Sequence, residues 1–328
     1  MSLRSTWFAC ALLTGLLILL FALSLCAGRV WTPWSAWVSN GADPRWAIVF
    51  GLRLPRTILA LLVGGALGLS GAALQGYTRN PLADPGSLGV SSSAALGAVL
   101  TLYLGTASTA HWVLPAAAMV GAGLGVTALL ALSGVTSSVV TFILAGFVIQ
   151  TVCTAGISLA LNLAPNPWAV DEIVSWVMGS LADRSVEEVR IAAPGILAGS
   201  IILLTQGRAL DALTLGEQGA RSLGVRLSRT RLLLVLGVAL AVGSSVAVTG
   251  VIGFVGLIVP HLLRPWVGSR PGSVLWPSLL GGAALTLGAD ILVRLTPAAE
   301  EVKLGVATAA VGGPFFLWML MAMRRRLA

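Results

Sequence analysis

A stretch of 86 residues, from Pro85 to Val170, contains no Asp, Glu, Lys or Arg. A soluble fold would need charge there to cover its surface, whereas a helix that spans a membrane needs about 20 mostly apolar residues. Turns near 105–110 and 132–138 divide the stretch, which predicts spans near 92–106, 112–132 and 138–162. The apolar runs are continuous, unlike the alternating segments of an outer-membrane barrel. We therefore predict an all-α, polytopic membrane protein.

Composition supports the membrane assignment. Hydrophobic residues make up 57% of the chain and charged residues 10%, with a mean hydropathy of +0.94. Soluble domains carry about 25% charged residues, and disordered chains have low hydrophobicity, so both classes are excluded. The net charge of +8 would suggest nucleic acid in a soluble protein. In a membrane protein it indicates arginine-rich cytoplasmic loops, and no nucleic-acid partner is expected.

The remaining apolar windows predict spans at 5–28, 57–78, 191–207, 271–289 and 304–323. Residues 232–263 are too long for one span and short for two. Basic clusters flank them on both sides and both clusters belong in the cytoplasm, so we predict two short spans with a break at Thr249–Gly253. The total is about ten spans, with both termini cytoplasmic, in a single transmembrane domain over residues 1–328. A signal peptide is the alternative for residues 1–28, but their apolar run exceeds a typical h-region.

Several chemistries are not expected in this chain. The single lysine, Lys303, lies between Val302 and Leu304, whereas a Walker A loop places Lys directly after Gly. ATP would therefore have to be hydrolysed by a partner. The three cysteines lie in apolar runs without a C-x-x-C pattern, and there are two histidines. We expect no disulfide framework, metal site or cofactor.

Three segments exceed what a generic membrane protein needs. Arg53-Leu54-Pro55-Arg56 lies at the predicted external mouth of the second span, where the arginines could snorkel to headgroups or dock an acidic partner or anionic solute. Residues 78–89 hold two prolines and two glycines that cannot continue a helix, at the cytoplasmic end of the same span. Residues 213–225 mix charge with regularly placed Leu, Ala and Gly, so they form either a helix on the inner leaflet or a docking helix for a cytosolic partner.

These segments resemble the FecCD-type permeases of ABC importers, which carry iron-siderophores, haem and vitamin B12. The resemblance runs in one order from about residue 50 to the C-terminus. The matching motifs are RLPRT at 53–57, NPLADPG at 80–86, LG at 215–216, LGV at 223–225, GVIGFVGLIVPHLLR at 250–264, GVAT at 305–308 and GGPFFLW at 312–318.

The resemblance implies a type II ABC importer permease in the bacterial cytoplasmic (inner) membrane. Its implied partners are a second permease copy, two cytosolic ATP-binding subunits that hold ATP and Mg, and a periplasmic or lipid-anchored solute-binding protein. The residues implied to dock the binding protein are Arg53, Arg56 and Arg294. An internal pair with Asp290, four residues earlier, is the alternative for Arg294.

The resemblance also implies residues on the cytoplasmic side. A coupling segment at about 208–229 would contact the ATPases, together with the end of the 250–264 motif. The implied coupling residues are Leu215, Gly216, Glu217, Ala220, Arg221, Leu223, Gly224, His261 and Arg264. The implied cytoplasmic gate comprises Asn80, Leu82, Thr136, Ser137 and Ser138.

Two rival functions are weighed against this interpretation. An ion-coupled secondary transporter places ionisable groups at the bilayer midplane, and the charge-free stretch argues against it. An intramembrane enzyme would need a His, Asp or Glu cluster that the sequence does not suggest. Iron chelates, as iron-siderophore or haem, are the expected solutes on family frequency, with vitamin B12 as the alternative.

Overall fold

The computed structural model describes residues 3–28, 30–39, 41, 43–134, 138–297 and 301–327, with side chains between residues 6 and 321. Over these ranges the protein forms thirteen α-helices and no strand, which confirms the all-α prediction. We number the helices in chain order. They are α1 (Leu3–Cys26), α2 (Arg45–Thr78), α3 (Val90–Tyr103), α4 (Val113–Ser133), α5 (Val139–Asn162), α6 (Pro167–Val177), α7 (Val186–Thr205), α8 (Gly207–Leu213), α9 (Gly216–Ser222), α10 (Leu227–Thr249), α11 (Val255–Val267), α12 (Pro271–Leu295) and α13 (Leu304–Leu327).

Eight of these helices are long and apolar enough to cross a membrane, and α3 and α11 are shorter apolar helices. All ten predicted spans are therefore helices. The 13 residues of α11 rise only about 20 Å, less than a hydrocarbon core of about 30 Å. The side of the membrane on which the termini lie stays a prediction.

The region 232–263 differs from the prediction of two short spans. The break is where the sequence suggested, between Thr249 and Val255, but α10 is a full-length helix of 23 residues that begins at Leu227. It contains Arg231, a charge that the sequence argument placed outside the span. The buried Arg231 donates from Nε to the Tyr77 hydroxyl (2.6 Å) and from Nη1 to the Gly134 carbonyl (2.9 Å). Because other helices supply these partners, the charge does not end the helix.

Small residues bring the helices into close contact, with α2 at the centre of the bundle. A Cβ added at Gly64 or Gly68 of α2 would collide with the backbone of α12 at Gly282 and Ser278. A Cβ added at Gly121 of α4 would collide in the same way with α3. Backbones at this distance leave no room for a side chain, as in small-xxx-small helix pairs of membranes.

Antiparallel packing sorts the loops to two ends of the bundle. We call one the α9 end, because it carries the loop of residues 79–89, α8, α9 and the start of α10. We call the other the Arg56 end, where α1 ends, α2 begins and α12 ends. The candidate functional residues lie at these two ends.

Candidate functional site

The Arg56 end holds a buried ionic network around Asp290 of α12. Asp290 is fully buried, and its carboxylate accepts hydrogen bonds from Arg56 Nε (2.9 Å) and Arg56 Nη2 (2.7 Å). Arg294, one turn later, forms an ion pair with the second carboxylate oxygen at 2.7 Å. Glu301, before α13, forms an ion pair with Arg56 and accepts from its Nη1 at 3.1 Å. One carboxylate is thus shared by two arginines, as buried charges require partners.

Arg53 and Arg294 also connect the end of α1 to α2 and α12 through hydrogen bonds. Arg53 Nη1 donates to the carbonyl oxygens of Leu25 (2.9 Å) and Cys26 (2.7 Å) and to the Thr32 hydroxyl (2.7 Å). Arg294 Nη1 donates to the Ser24 carbonyl at 3.0 Å. These bonds hold the side chains in fixed positions.

The three predicted docking residues therefore lie together at one end, but not as open surface charges. Arg53, Arg56 and Arg294 are 7%, 9% and 8% exposed. They line one side of a cavity of about 190 Å³ that also contacts Arg184 and Glu301. Burial lowers the pKa of Arg184. The internal pair of Arg294 with Asp290, weighed as the alternative, is present, and the docking role stays a prediction.

The predicted coupling segment forms two short helices, α8 and α9, at the α9 end. Gly216 and Gly224, on either side of α9, adopt positive φ angles of 86° and 83°, which L-residues with a Cβ rarely adopt. Ala220 is buried and anchors α9, whereas Leu215 and Leu223 at its two ends are 68% and 63% exposed. The segment therefore leaves the apolar side chains of Leu215 and Leu223 exposed.

Two further predicted coupling residues, His261 and Arg264, lie in α11, which contains Pro260. Proline lacks the N–H that would bond the carbonyl four residues earlier, and Gln75 of α2 supplies a donor to that Gly256 carbonyl at 3.2 Å. Arg264 in turn donates to the Gln75 side-chain oxygen at 2.6 Å. The His261 ring contacts Phe315 edge-on, with centroids 5.9 Å apart. Arg264 is therefore held against α2 rather than extended into solvent.

The predicted gate residues divide between two loops. In the loop after α2, the Asn80 side chain accepts from the Leu82 N–H at 3.0 Å, and Leu82 packs on the apolar cluster of α11 and α13. Asp84 caps the next turn by accepting from the Gly86 N–H at 2.9 Å, and burial raises the pKa of this carboxyl. Ser138 caps α5 through the Thr141 N–H at 3.2 Å.

The other two predicted gate residues, Thr136 and Ser137, lie outside the described residues. The two loops still come together, since Arg79 and Val139 line one cavity of about 360 Å³. Whether the set closes a path stays a prediction. Among the described residues no group of three His, Cys, Asp or Glu could hold a metal ion.

Sequence reasoning missed Glu301 and Gln75, and it missed Asp290 as a partner of Arg56. Asp290 carried a usable signal, because a carboxylate inside an apolar helix needs a partner. The contacts of Glu301 with Arg56 and of Gln75 with Arg264 join residues 245 and 189 positions apart. Only the fold brings them together.

Comparison with known proteins identifies this arrangement. The FecCD transport family matches residues 16–322. The chain belongs to that family. The vitamin B12 import permease BtuC of Klebsiella pneumoniae is 37% identical over 315 residues, covering 96% of this chain and 93% of the relative. The haemin transport permease HmuU of Yersinia pestis is 38% identical over 295 residues, or 88% of each chain.

A solved structure supports the same assignment. It is described as an inward-facing conformation of a metal-chelate type ABC transporter, is 31% identical, and covers 96% of this FecCD chain and 99% of its own, with a TM-score of 0.85. The predicted family is therefore confirmed. This FecCD protein is a multi-pass membrane permease of an ABC importer, and in its family the partner ATPase hydrolyses ATP.

Proposed function

We propose that this permease and a second copy of it form the path of an ATP-driven importer of iron chelates in the bacterial inner membrane. Near full-length similarity to a permease named for haemin, with structural similarity to a metal-chelate type transporter, carries the proposal. Vitamin B12 is the alternative solute, because relatives named for its import are equally similar.

The α9 end is proposed to face the cytoplasm and two ATP-binding subunits. The uncovered Leu215 and Leu223 support this, since an apolar side chain that fills a partner's pocket supplies much of an interface's binding energy. Motion of α11 reaches the gate through contacts already described, because Gln75 joins Arg264 to α2 and Leu82 packs on α11. ATP binding shifts the dimer between two states only if the ATPases bind one state more tightly.

The Arg56 end is proposed to receive a periplasmic or lipid-anchored binding protein. Arg56 and Arg294 share the carboxylates of Asp290 and Glu301, whereas Arg53 is bonded to backbone carbonyls and the Thr32 hydroxyl. These three arginines and two carboxylates therefore keep a formal surplus of one positive charge. Glu301 is its most accessible member, with a side chain 30% exposed against 11% for Arg56 and 0% for Asp290. A carboxylate of the binding protein can therefore replace Glu301 on Arg56 without disturbing Asp290.

Transport is tested in proteoliposomes that contain the permease, its ATPase and its binding protein. A ferric siderophore, haemin and cobalamin are compared with and without ATP. ATP-dependent uptake of either iron chelate above cobalamin supports the proposal. Preference for cobalamin establishes the alternative, and uptake that persists without ATP refutes an ATP-driven importer.

Docking is tested with Glu301→Gln, using Asp43→Asn at the same end as a control with the same change of charge. We expect Glu301→Gln to raise the association rate of the binding protein at low salt, since electrostatic complementarity acts mainly on that rate. The control removes a carboxylate from an exposed pair with Arg45. Equal rates for the two variants would refute exchange at Glu301.

A further inference from the structure

A basic cavity lies at the α9 end between α7 and α10, beside the proposed coupling helix. Its volume is about 620 Å³. Three arginines line it, Arg208 from α8 and Arg226 and Arg229 from the start of α10, and no carboxylate does. The other lining residues are polar or apolar, and they are Thr205, Gln206, Ala209, Ala212, Leu223, Gly224, Val225, Thr230 and Leu233.

These arginines differ from the others described above. Arg56, Arg294 and Arg231 are buried and bonded inside the protein. In the part of the chain that the structure describes, Arg208, Arg226 and Arg229 are exposed and form no ion pair within 4.0 Å with Asp or Glu. The cavity therefore concentrates positive charge that the protein does not neutralise.

Apolar side chains of α7 and α10 are exposed near the cavity. Along α7, Leu197 (51% exposed) and Ile201 (63%) face outward in the stripe that ends at Thr205. Along α10, Leu232 and Leu236, each 38% exposed, follow Arg229 on the same side. Both helices qualify as membrane spans, and they pack tightly, since a Cβ at Gly199 would lie 2.5 Å from the Ala241 nitrogen. In a bilayer these exposed side chains face acyl chains, and the three arginines lie at the α9 end of the same helices.

We propose that this cavity binds the headgroup of an anionic phospholipid of the inner leaflet. Its phosphate bonds to Arg208, Arg226 and Arg229, and its acyl chains lie along α7 and α10. Guanidinium groups bind phosphate oxygens in a bidentate way, and basic pockets between spanning helices on the cytoplasmic side suit anionic headgroups. The bound lipid would contact the end of α9 at Leu223. A docking ATPase carboxylate is the competing occupant, which the test below separates.

Native mass spectrometry of the purified full-length permease tests the proposal. The permease is titrated with phosphatidylglycerol and, separately, with phosphatidylcholine of the same acyl chains. We expect preferential retention of phosphatidylglycerol, weakened about a hundredfold by joint Gln substitution of Arg208, Arg226 and Arg229 and about fivefold by each single substitution. If the triple variant does not fold, the single variants still measure the contribution of each arginine.

The control changes the same charge elsewhere, by joint Gln substitution of the exposed Arg79, Arg190 and Arg270. Retention that falls equally in both triple variants, or equal retention of the two lipids by the wild type, would overturn the proposal. Glycerol 3-phosphate that binds as tightly as phosphatidylglycerol would overturn the role of the acyl chains. Unchanged lipid retention with lost ATPase assembly would assign the arginines to the ATPase instead.

Discussion

The buried carboxylate of Asp290 is expected to be the most sensitive single position in the described network. It is fully buried and receives bonds of 2.7–2.9 Å from Arg56 and an ion pair of 2.7 Å from Arg294. Asp290→Asn removes the negative charge, leaving Arg56 with Glu301 and Arg294 with Ser24. Breaking a buried pair costs about 3–5 kcal/mol because a buried charge is left uncompensated. We expect Asp290→Asn to lower the free energy of unfolding by about 3 kcal/mol, since the amide keeps one acceptor.

The assay is titration with sodium dodecyl sulfate in mixed micelles, followed by far-ultraviolet circular dichroism. Asp43→Asn is the matched control, because its pair with Arg45 is solvent-exposed and such pairs are screened. Adding Arg294→Leu to Asp290→Asn should restore part of the lost stability, since Arg56 still has Glu301. Equal stabilities of Asp290→Asn and the control, or a double variant less stable than Asp290→Asn, would refute the reasoning.

Three further predictions concern the α9 end. Gln75→Leu leaves the Arg264 guanidinium and a backbone carbonyl without this partner, so we expect a loss of about 1–3 kcal/mol in the same titration; an unchanged midpoint would contradict the link. The pKa of the Asp84 carboxyl is raised in the folded state. The stability that the protonated carboxyl contributes is therefore fully present below the ordinary pKa near 4 and is lost as the pH rises through the folded-state pKa. Asp84→Asn should therefore equal the wild type near pH 4 and exceed it at pH 7 in unfolding free energy, and a variant that follows the wild type at both would refute this. Ser at both Leu215 and Leu223 should leave unfolding unchanged, since these side chains are already exposed, yet weaken ATPase association at least tenfold in a pull-down titration; intact association would exclude them from the interface.

Local signals explain why the central spans could be predicted from the sequence. The predicted spans 112–132 and 138–162 differ by at most one residue at each end from α4 (Val113–Ser133) and α5 (Val139–Asn162). Gly134 ends α4 with a positive φ of 64°, and the Ser138 hydroxyl caps α5. Both signals are visible in the residues themselves.

The limits of α10 and α12 could not be predicted in this way, because charge was taken to mark the end of a span. Helix α10 carries Arg231, whose guanidinium lies 5.8 Å from the Tyr77 ring centroid and 5.6 Å from that of Phe142. Helix α12 runs past the predicted end at 289 and carries Asp290 and Arg294. Arg231 and Asp290 are tolerated because distant segments supply partners that a window of neighbouring residues does not show, and Arg294 is tolerated in part because it pairs with Asp290 one turn earlier.

Arg53, Arg56 and Arg294 share a position in the bundle but differ in their bonding partners. Their position in the chain predicts correctly that Arg53, Arg56 and Arg294 share one end of the bundle. It does not predict that Arg53 is bonded to backbone carbonyls, whereas the pair of Arg294 with Asp290, weighed as an alternative from their spacing, is present. Of these three arginines, only Arg56 is bonded to a partly exposed carboxylate, that of Glu301. If the three arginines dock a partner, the structure therefore favours Arg56 as the residue whose bond is exchanged, with the other two fixing its position.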